Sequence, residues 1–119
     1  MSMTLTEKIL ARASKKRSVS PGEIVEAEVD VALAHETLGP ITFEEFDEIG
    51  GKVWDPDKIA VFADHCSPPA NVGQGELLKV TSKFVRNQGI RHFYPYEGIE
   101  HQIMVEKGFD VPGSVIVRT

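Results

Sequence analysis

Apolar and polar residues are spaced in two different ways in the first third of the chain. Residues 5–13 carry apolar side chains at helical spacing, and residues 4–7 have the Thr-x-x-Glu form of a capping box, which predicts a helix beginning after Thr4. Ser-Pro-Gly at 20–22 interrupts the chain. Apolar and polar residues then alternate over 25–33, and this alternation predicts a strand.

The middle of the chain predicts two helices separated by a buried strand. Residues 42–45 form a second capping box before a helix that ends at the glycines 50–51. The continuous apolar run 59–63, Ile-Ala-Val-Phe-Ala, is typical of a parallel strand buried on both faces. After the prolines 68–69, a longer helix carries a narrow apolar stripe and ends at Gly89, a predicted C-cap.

Two further strands are predicted near the end of the chain. They cover residues 90–94 and 114–117, and a turn-like loop at 95–98 leads from the first of them to His101. No repeat, low-complexity tract or linker interrupts residues 1–119. The order of elements therefore predicts one unit with a three-layer α/β/α fold.

Charge and cysteine content narrow the function classes. The formal charge is -5 with a pI near 5.3, whereas a nucleic-acid-binding surface needs clustered Lys and Arg, so we predict no nucleic-acid partner. The single cysteine, Cys66, excludes an internal disulfide and cannot alone hold a structural zinc or an iron-sulfur cluster; we predict no metal ligands in this chain. No apolar run approaches the roughly 20 residues that span a bilayer, so we expect no membrane partner and a cytoplasmic location.

Asp64 and His65 are the first candidates for catalysis. They follow the buried strand, and ligands of open α/β sheets bind at the carboxyl ends of parallel strands. A carboxylate beside an imidazole fixes its tautomer and gives a proton donor usable near neutral pH. The pairing requires the chain to turn, since neighbours on a strand point to opposite faces. Alternatively, Asp64 caps the following loop and His65 is a loop residue; local features alone favour that interpretation.

Two other polar pairs also follow predicted strands. They are His35-Glu36 and His101-Gln102, and a chain with four histidines places three of them in such pairs. His92 lies within a predicted strand and is interpreted as structural. Binding of di- or tricarboxylates needs several donors around one pocket, so the convergence favours a site for such acids.

Seven short motifs occur in order along the chain. They are Thr-Leu-Thr-Glu-Lys-Ile-Leu at 4–10, His-Glu-Thr at 35–37, Asp-His at 64–65, Pro-Pro at 68–69, Glu-Gly-Ile-Glu-His-Gln at 97–102, Glu-Lys-Gly at 106–108 and Pro-Gly at 112–113. Together they resemble the start of the large subunit of 3-isopropylmalate dehydratase, an aconitase-type hydro-lyase, and of its homoaconitase relatives. The resemblance covers essentially the whole chain and implies an N-terminal fragment of such a subunit.

The resemblance implies a reaction and roles for five residues. The reaction is the isomerisation of 2- and 3-isopropylmalate by dehydration and rehydration, a step of leucine biosynthesis, with one iron of a 4Fe-4S cluster as Lewis acid. His65 matches the general acid for the departing hydroxyl, and Asp64 is its partner. His101 matches a second active-site histidine, His35 lies where relatives contact substrate, and Gln102 accompanies His101.

This sequence also departs from the family pattern. Glu100 stands where many relatives have Cys, Cys66 matches no cluster ligand, and the cluster cysteines are absent from this chain. Relatives continue into an Asp-Ser-His motif after the position of Thr119, and their catalytic serine lies on a small subunit or swivelling domain. We therefore expect a small subunit carrying that domain as partner, and no activity from the isolated fragment. The alternatives are a homoaconitase or aconitase fragment, or a stand-alone, non-catalytic partner-binding module.

Overall fold

The centre of the computed structural model, which describes residues 2–119, is a parallel four-stranded sheet. Its strands are β1 (Val31–His35), β2 (Ile59–Ala63), β3 (His92–Pro95) and β4 (Ile116–Arg118). Their spatial order is β3-β2-β1-β4, and every neighbouring pair is parallel. His35 pairs with Phe62 and Ala63 pairs with Pro95, so the carboxyl ends of three strands meet at one edge.

Helices cover both faces of this sheet. Helices α2 (Gly39–Ile49) and α3 (Val72–Gln88) pack on one face, and α4 (Glu100–Glu106) packs on the other. The first face buries Ala34, Phe43, Ile59, Val61, Phe84, Val85 and Ile90; the second buries Val31, Leu33, Ala60, Phe62, Ile103 and Met104. The predicted three-layer α/β/α fold is therefore confirmed.

Strand β2 lies in the interior of the sheet, as its apolar sequence predicts. Val61 faces α2 and α3, and its neighbour Phe62 faces α4; neither side chain is exposed. Successive side chains of a strand point to opposite faces, so a strand covered on both sides needs apolar residues at every position. This buried strand supports the loop that begins at Asp64.

The first helix follows its capping box, but the strand predicted after it is wrong over 25–29. Helix α1 is Leu5–Ala13, and Thr4 and Glu7 exchange both capping-box hydrogen bonds, at 3.3 and 2.6 Å. Residues 25–29 are half-buried at odd positions and exposed at even positions, without pairing to a strand. Alternation shows that one side rests on the protein, whereas a strand also needs a hydrogen-bonded neighbour.

One helix start was predicted incorrectly and one helix was missed. Helix α2 begins at Gly39 rather than after Thr42, because Pro40 in its first turn has the φ that a helix start requires. Residues 100–106, for which the sequence pattern predicts no element, form α4. The glycine ends of α2 and α3 are confirmed, with Gly50 at φ 73 and Gly89 at φ 70. None of the helices within residues 2–119 has the length and apolar character that crossing a membrane requires.

Candidate active site

Polar side chains from three loops converge at the carboxyl edge of the sheet. His35 is the last residue of β1, Asp64 follows β2 directly, and Glu100 begins α4 after the loop that leaves β3. In parallel sheets these positions lie at one edge, because all strands run in the same direction. Each side chain is supported by a buried element and faces its neighbours across this edge.

Asp64 holds His65 and the first turn of α4 at the same time. One carboxylate oxygen, Oδ1, lies 2.7 Å from His65 Nδ1, and the other, Oδ2, accepts from the Glu100 backbone N–H at 2.7 Å. A carboxylate only accepts, so Nδ1 carries the donated proton and Nε2 is left for other chemistry. The Asp64 side chain is 5% exposed and that of His65 42%, so the pair has a buried base and an accessible ring.

His35 packs directly against His65. The two rings stack with centroids 4.1 Å apart and planes 12° from parallel, and His35 Nδ1 lies 2.7 Å from Thr37 Oγ1. Burial lowers the pKa of His35, the nearby His65 ring lowers it further, and the carboxylates of Glu100 and Glu36 act in the opposite direction. His35 is thus suited to hydrogen bonding as a neutral imidazole.

The carboxylate of Glu36 lies beneath the turn that carries His65. Its oxygens accept from the backbone N–H groups of Asp64, at 3.3 Å, and of Cys66, at 2.5 Å, and its side chain is fully buried. The sequence pattern draws attention to the His35-Glu36 pair but predicts no role for Glu36. A sequence does not show which backbone amides a carboxylate reaches 28 and 30 residues away.

A second buried carboxylate, Glu100, holds an arginine that contacts His101. Arg118 Nη2 lies 2.8 Å from Glu100 Oε1, and Arg118 Nη1 lies 3.0 Å from His101 Nε2. An arginine only donates, so in this contact Nε2 of His101 is the acceptor and the ring proton lies on Nδ1. The alternative contact, from His101 Nε2 to Glu100 Oε1, is 3.6 Å and too long for a hydrogen bond. Sequence reasoning missed both Glu100 and Arg118 as site residues.

The five predicted site residues differ in how closely they approach the Asp64–His65 pair. Asp64, His65 and His35 are in contact, whereas His101 lies at the rim with a side chain that is 66% exposed. Gln102 donates to Glu106 Oε1 at 2.8 Å, one turn along α4, and this directs its amide along the helix surface. The structure therefore groups four of the five predicted residues in one network, and a substrate contact of Gln102 stays a prediction.

His35, His65 and Glu100 offer potential metal ligands. One ligand atom of each lies within 4.8 Å of the others. However, the rings of His35 and His65 are nearly parallel and stacked, and an ion cannot lie in both ring planes in that arrangement. Arg118 also occupies Glu100. Cys66 is a half-buried thiol, and a four-iron cluster takes several thiolates, so residues 2–119 by themselves do not fit such a cluster.

The loops around the network border a small open pocket. A cavity of about 280 Å³ is lined by Asp64, Pro68 and Tyr96, among others, next to the Asp64–His65 pair. A larger depression of about 540 Å³ lies beside Trp54, Asp30 and Lys58 at the opposite, amino-terminal edge of the sheet. The chemistry therefore lies next to the smaller cavity.

Comparisons with known proteins show which proteins this chain is similar to. No protein-family model matches the chain. A probable 3-isopropylmalate dehydratase large subunit of Methanothermobacter thermautotrophicus is 50% identical over 121 residues, which is 100% of this chain and 29% of that protein. A 3-isopropylmalate dehydratase large subunit of Methanopyrus kandleri is 47% identical, and a probable methanogen homoaconitase large subunit of Methanothermobacter thermautotrophicus is 46% identical. These two matches cover 98% and 97% of this chain and 28% of each relative. The resemblance predicted from the motifs is confirmed, and the chain spans under a third of its relatives' length.

Proposed function

We propose that this chain, which matches 3-isopropylmalate dehydratase large subunits throughout, is the part of such a hydro-lyase that supplies its proton donor for dehydration. The observation that carries the proposal is the Asp64–His65 pair, 2.7 Å apart at the carboxyl edge of the sheet. Relatives with 50% and 47% identity are named for 3-isopropylmalate dehydratase. The reaction proposed is the isomerisation of 2- and 3-isopropylmalate.

His65 is assigned as the general acid. Its Nδ1–H is held by Asp64, so protonated Nε2 can donate to the substrate hydroxyl as the carbon–oxygen bond breaks and water leaves. The proton on the neighbouring carbon goes to a base outside this chain, which the resemblance assigns to a serine of the small subunit. Rehydration at the other carbon reverses both transfers, with Nε2 of His65 accepting a proton from water.

His35, His101 and Gln102 are assigned to the substrate. His35 stacks on His65 and, as a neutral ring, can donate to or accept from a carboxylate or hydroxyl. His101 has its Nε2 occupied by Arg118 and presents an Nδ1–H donor at the rim. Gln102 would have to release Glu106 before its amide could reach a substrate. This set supplies the several donors that a dicarboxylate requires.

The proposal includes a 4Fe-4S cluster whose cysteines lie outside this chain. Cys66 is one thiol, and a four-iron cluster takes several thiolates. We therefore assign no step of the reaction to cluster binding by these 119 residues. The partner proposed is the small subunit, the location proposed is the cytoplasm, and the isolated chain is expected to be inactive.

A chimeric large subunit tests the proposal. Residues 2–119 would replace the matching segment of the 50% identical Methanothermobacter relative. The chimera would be assembled with that relative's small subunit under anaerobic conditions, with iron and sulfide added to reconstitute the cluster. We expect it to interconvert 2- and 3-isopropylmalate. The variants His65→Ala and Asp64→Asn should lower kcat by about 10²–10⁴-fold, the range that a general acid contributes. Glu44→Gln, an exposed position on α2, is the matched control.

Two outcomes would contradict the assignment. One is an active chimera whose kcat is unaffected by His65→Ala, and the other is a folded, cluster-loaded chimera without hydro-lyase activity. Comparing 3-isopropylmalate with homoaconitate as substrates addresses the alternative raised by the 46% identical homoaconitase relative. A higher kcat/KM on homoaconitate would move the proposal to homoaconitase.

A further inference from the structure

Glu36 is the most deeply buried polar side chain next to His65. None of its surface is exposed, yet it is ionisable, and burying such a group is costly unless strong donors surround it. The donors are the backbone N–H groups of Asp64 and Cys66, which stand on either side of His65. No Lys or Arg forms an ion pair with Glu36 within residues 2–119.

The contacts of Glu36 fix the turn in which His65 stands. Each carboxylate oxygen takes a different amide, Oε2 that of Asp64 and Oε1 that of Cys66, so the carboxylate spans the backbone of His65. The backbone N–H of Glu36 donates to Phe62 O at 3.1 Å, which ties this residue to the end of β2. The position of the His65 Cα is therefore set from below by Glu36.

The two ends of the His35-Glu36 pair hold His65 from different directions. His35 stacks on the His65 ring with centroids 4.1 Å apart, while Glu36 binds the backbone on both sides of that residue. Asp64 adds the third constraint, at Nδ1 of the ring. A ring held at its face, its nitrogen and its backbone keeps Nε2 in one place, and small misplacements of a reacting group are costly in rate.

We propose that Glu36 is a positioning residue: its buried carboxylate binds the amides of Asp64 and Cys66 and so fixes the orientation of His65 for proton transfer. This inference rests on the proposed function of His65, and it adds a residue to which neither the motifs nor the relatives' names assign a role. The Glu36 side chain is fully buried. It acts through the backbone of its neighbours.

Amide hydrogen exchange in the 119-residue chain tests the geometry without any activity. In the unmodified chain the amides of Asp64 and Cys66 should exchange slowly, because a buried carboxylate accepts both. Glu36→Gln keeps the shape but replaces one acceptor oxygen by an NH₂ donor, and Glu36→Asp keeps the charge but is one methylene shorter. Both variants should speed exchange at one or both amides by about tenfold or more. Glu97→Gln, exposed in the loop after β3, should change neither rate.

The chimera then tests the consequence for the reaction. Glu36→Gln and Glu36→Asp should each lower kcat by about 100-fold, the loss expected for a displacement near 1 Å, and should change KM less. If only the negative charge of Glu36 mattered, Glu36→Asp would keep the kcat of the unmodified chimera. A residue important only for stability would lower the melting temperature and leave kcat of the folded enzyme unchanged. Either result overturns the proposal.

Amide exchange in the unmodified chain tests the proposal even if both variants fail to fold. If the amides of Asp64 and Cys66 exchange as fast as exposed amides, the hydrogen bonds from Glu36 are not maintained and the proposal is wrong. If the chimera lacks activity while exchange is slow and depends on Glu36, the proposed function fails but the positioning geometry stands. The two failures are therefore distinguishable.

Discussion

Replacing Asp64 with asparagine preserves the size of the side chain and removes one of its two acceptor oxygens. In the structure, Oδ1 is 2.7 Å from His65 Nδ1 and Oδ2 is 2.7 Å from the Glu100 backbone N, so both oxygens are used. An asparagine can satisfy only one of these donors, and its NH₂ group faces the other. The Asp64→Asn variant must therefore lose either the histidine contact or the first turn of α4.

The size of the loss follows from burial. The Asp64 side chain is 5% exposed, so solvent screens its hydrogen bonds little. A hydrogen bond to a charged group contributes about 1.5–3 kcal/mol, and we expect Asp64→Asn to lower the free energy of unfolding by about that amount. The nearby carboxylate of Glu36 repels that of Asp64, and relief of this repulsion places the expected loss toward the lower end of the range.

Urea denaturation followed by circular dichroism measures this loss. With a slope of about 1–3 kcal/mol/M, the midpoint should fall by about 1 M. Asp57→Asn is the control, since Asp57 lies on the surface in an ion pair with Arg91, and its midpoint should change little. Equal midpoints for the Asp64 and Asp57 variants would refute the reasoning that the buried contacts of Asp64 stabilise the fold.

Two further predictions concern the histidines. The pKa of His35 is lowered by burial, so between that value and about 6.5 the unfolded chain binds more protons than the folded one; stability should fall as the pH drops below about 6.5. The drop in urea midpoint from about pH 7.5 to about pH 5.5 should be smaller in His35→Gln, and an unchanged drop would contradict this cause. Arg118→Gln removes the guanidinium that donates to His101 Nε2, so nitrogen NMR should show neutral His101 shifting toward the Nε2-protonated tautomer; an unchanged tautomer would show that Arg118 does not set it.

The sequence predicted an element of the fold correctly where one local pattern was enough to identify it. The apolar run 59–63 and the glycine at Gly89 each have one physical interpretation, a doubly covered strand and a helix end, and both are confirmed. The alternation over 25–29 predicts a strand, but these residues form none. Alternation shows only which side of a segment is covered, and not whether a neighbouring strand is present to pair with it. Helix α4 was missed because only seven residues form it and no capping side chain marks its start.

The site was predictable only in part, for a related reason. The side chains of Asp64, His65 and His35 stood out because they follow strands, and strand order brings such positions to one edge. The contributions of Glu36 and Glu100 depend on contacts with backbone amides and with an arginine far along the chain. Sequence spacing carries no information about those distances, so these residues became visible only in three dimensions.

The two exposed histidines, His65 and His101, have different hydrogen-bond partners, and these partners suit the two rings to different chemical roles. His65 is held by the carboxylate of Asp64, which accepts the Nδ1 proton and leaves Nε2 directed away from the pair. His101 is held by the guanidinium of Arg118. A guanidinium can only donate, so His101 Nε2 is the acceptor in this contact. In the proposed reaction the ring gives up its proton while a carboxylate holds its other nitrogen; His65 has such a carboxylate in Asp64, whereas the partner of His101 is the cationic side chain of Arg118. Because Arg118 is fixed by buried Glu100, and Glu100 donates its backbone N–H to Asp64, one chain of contacts sets both arrangements.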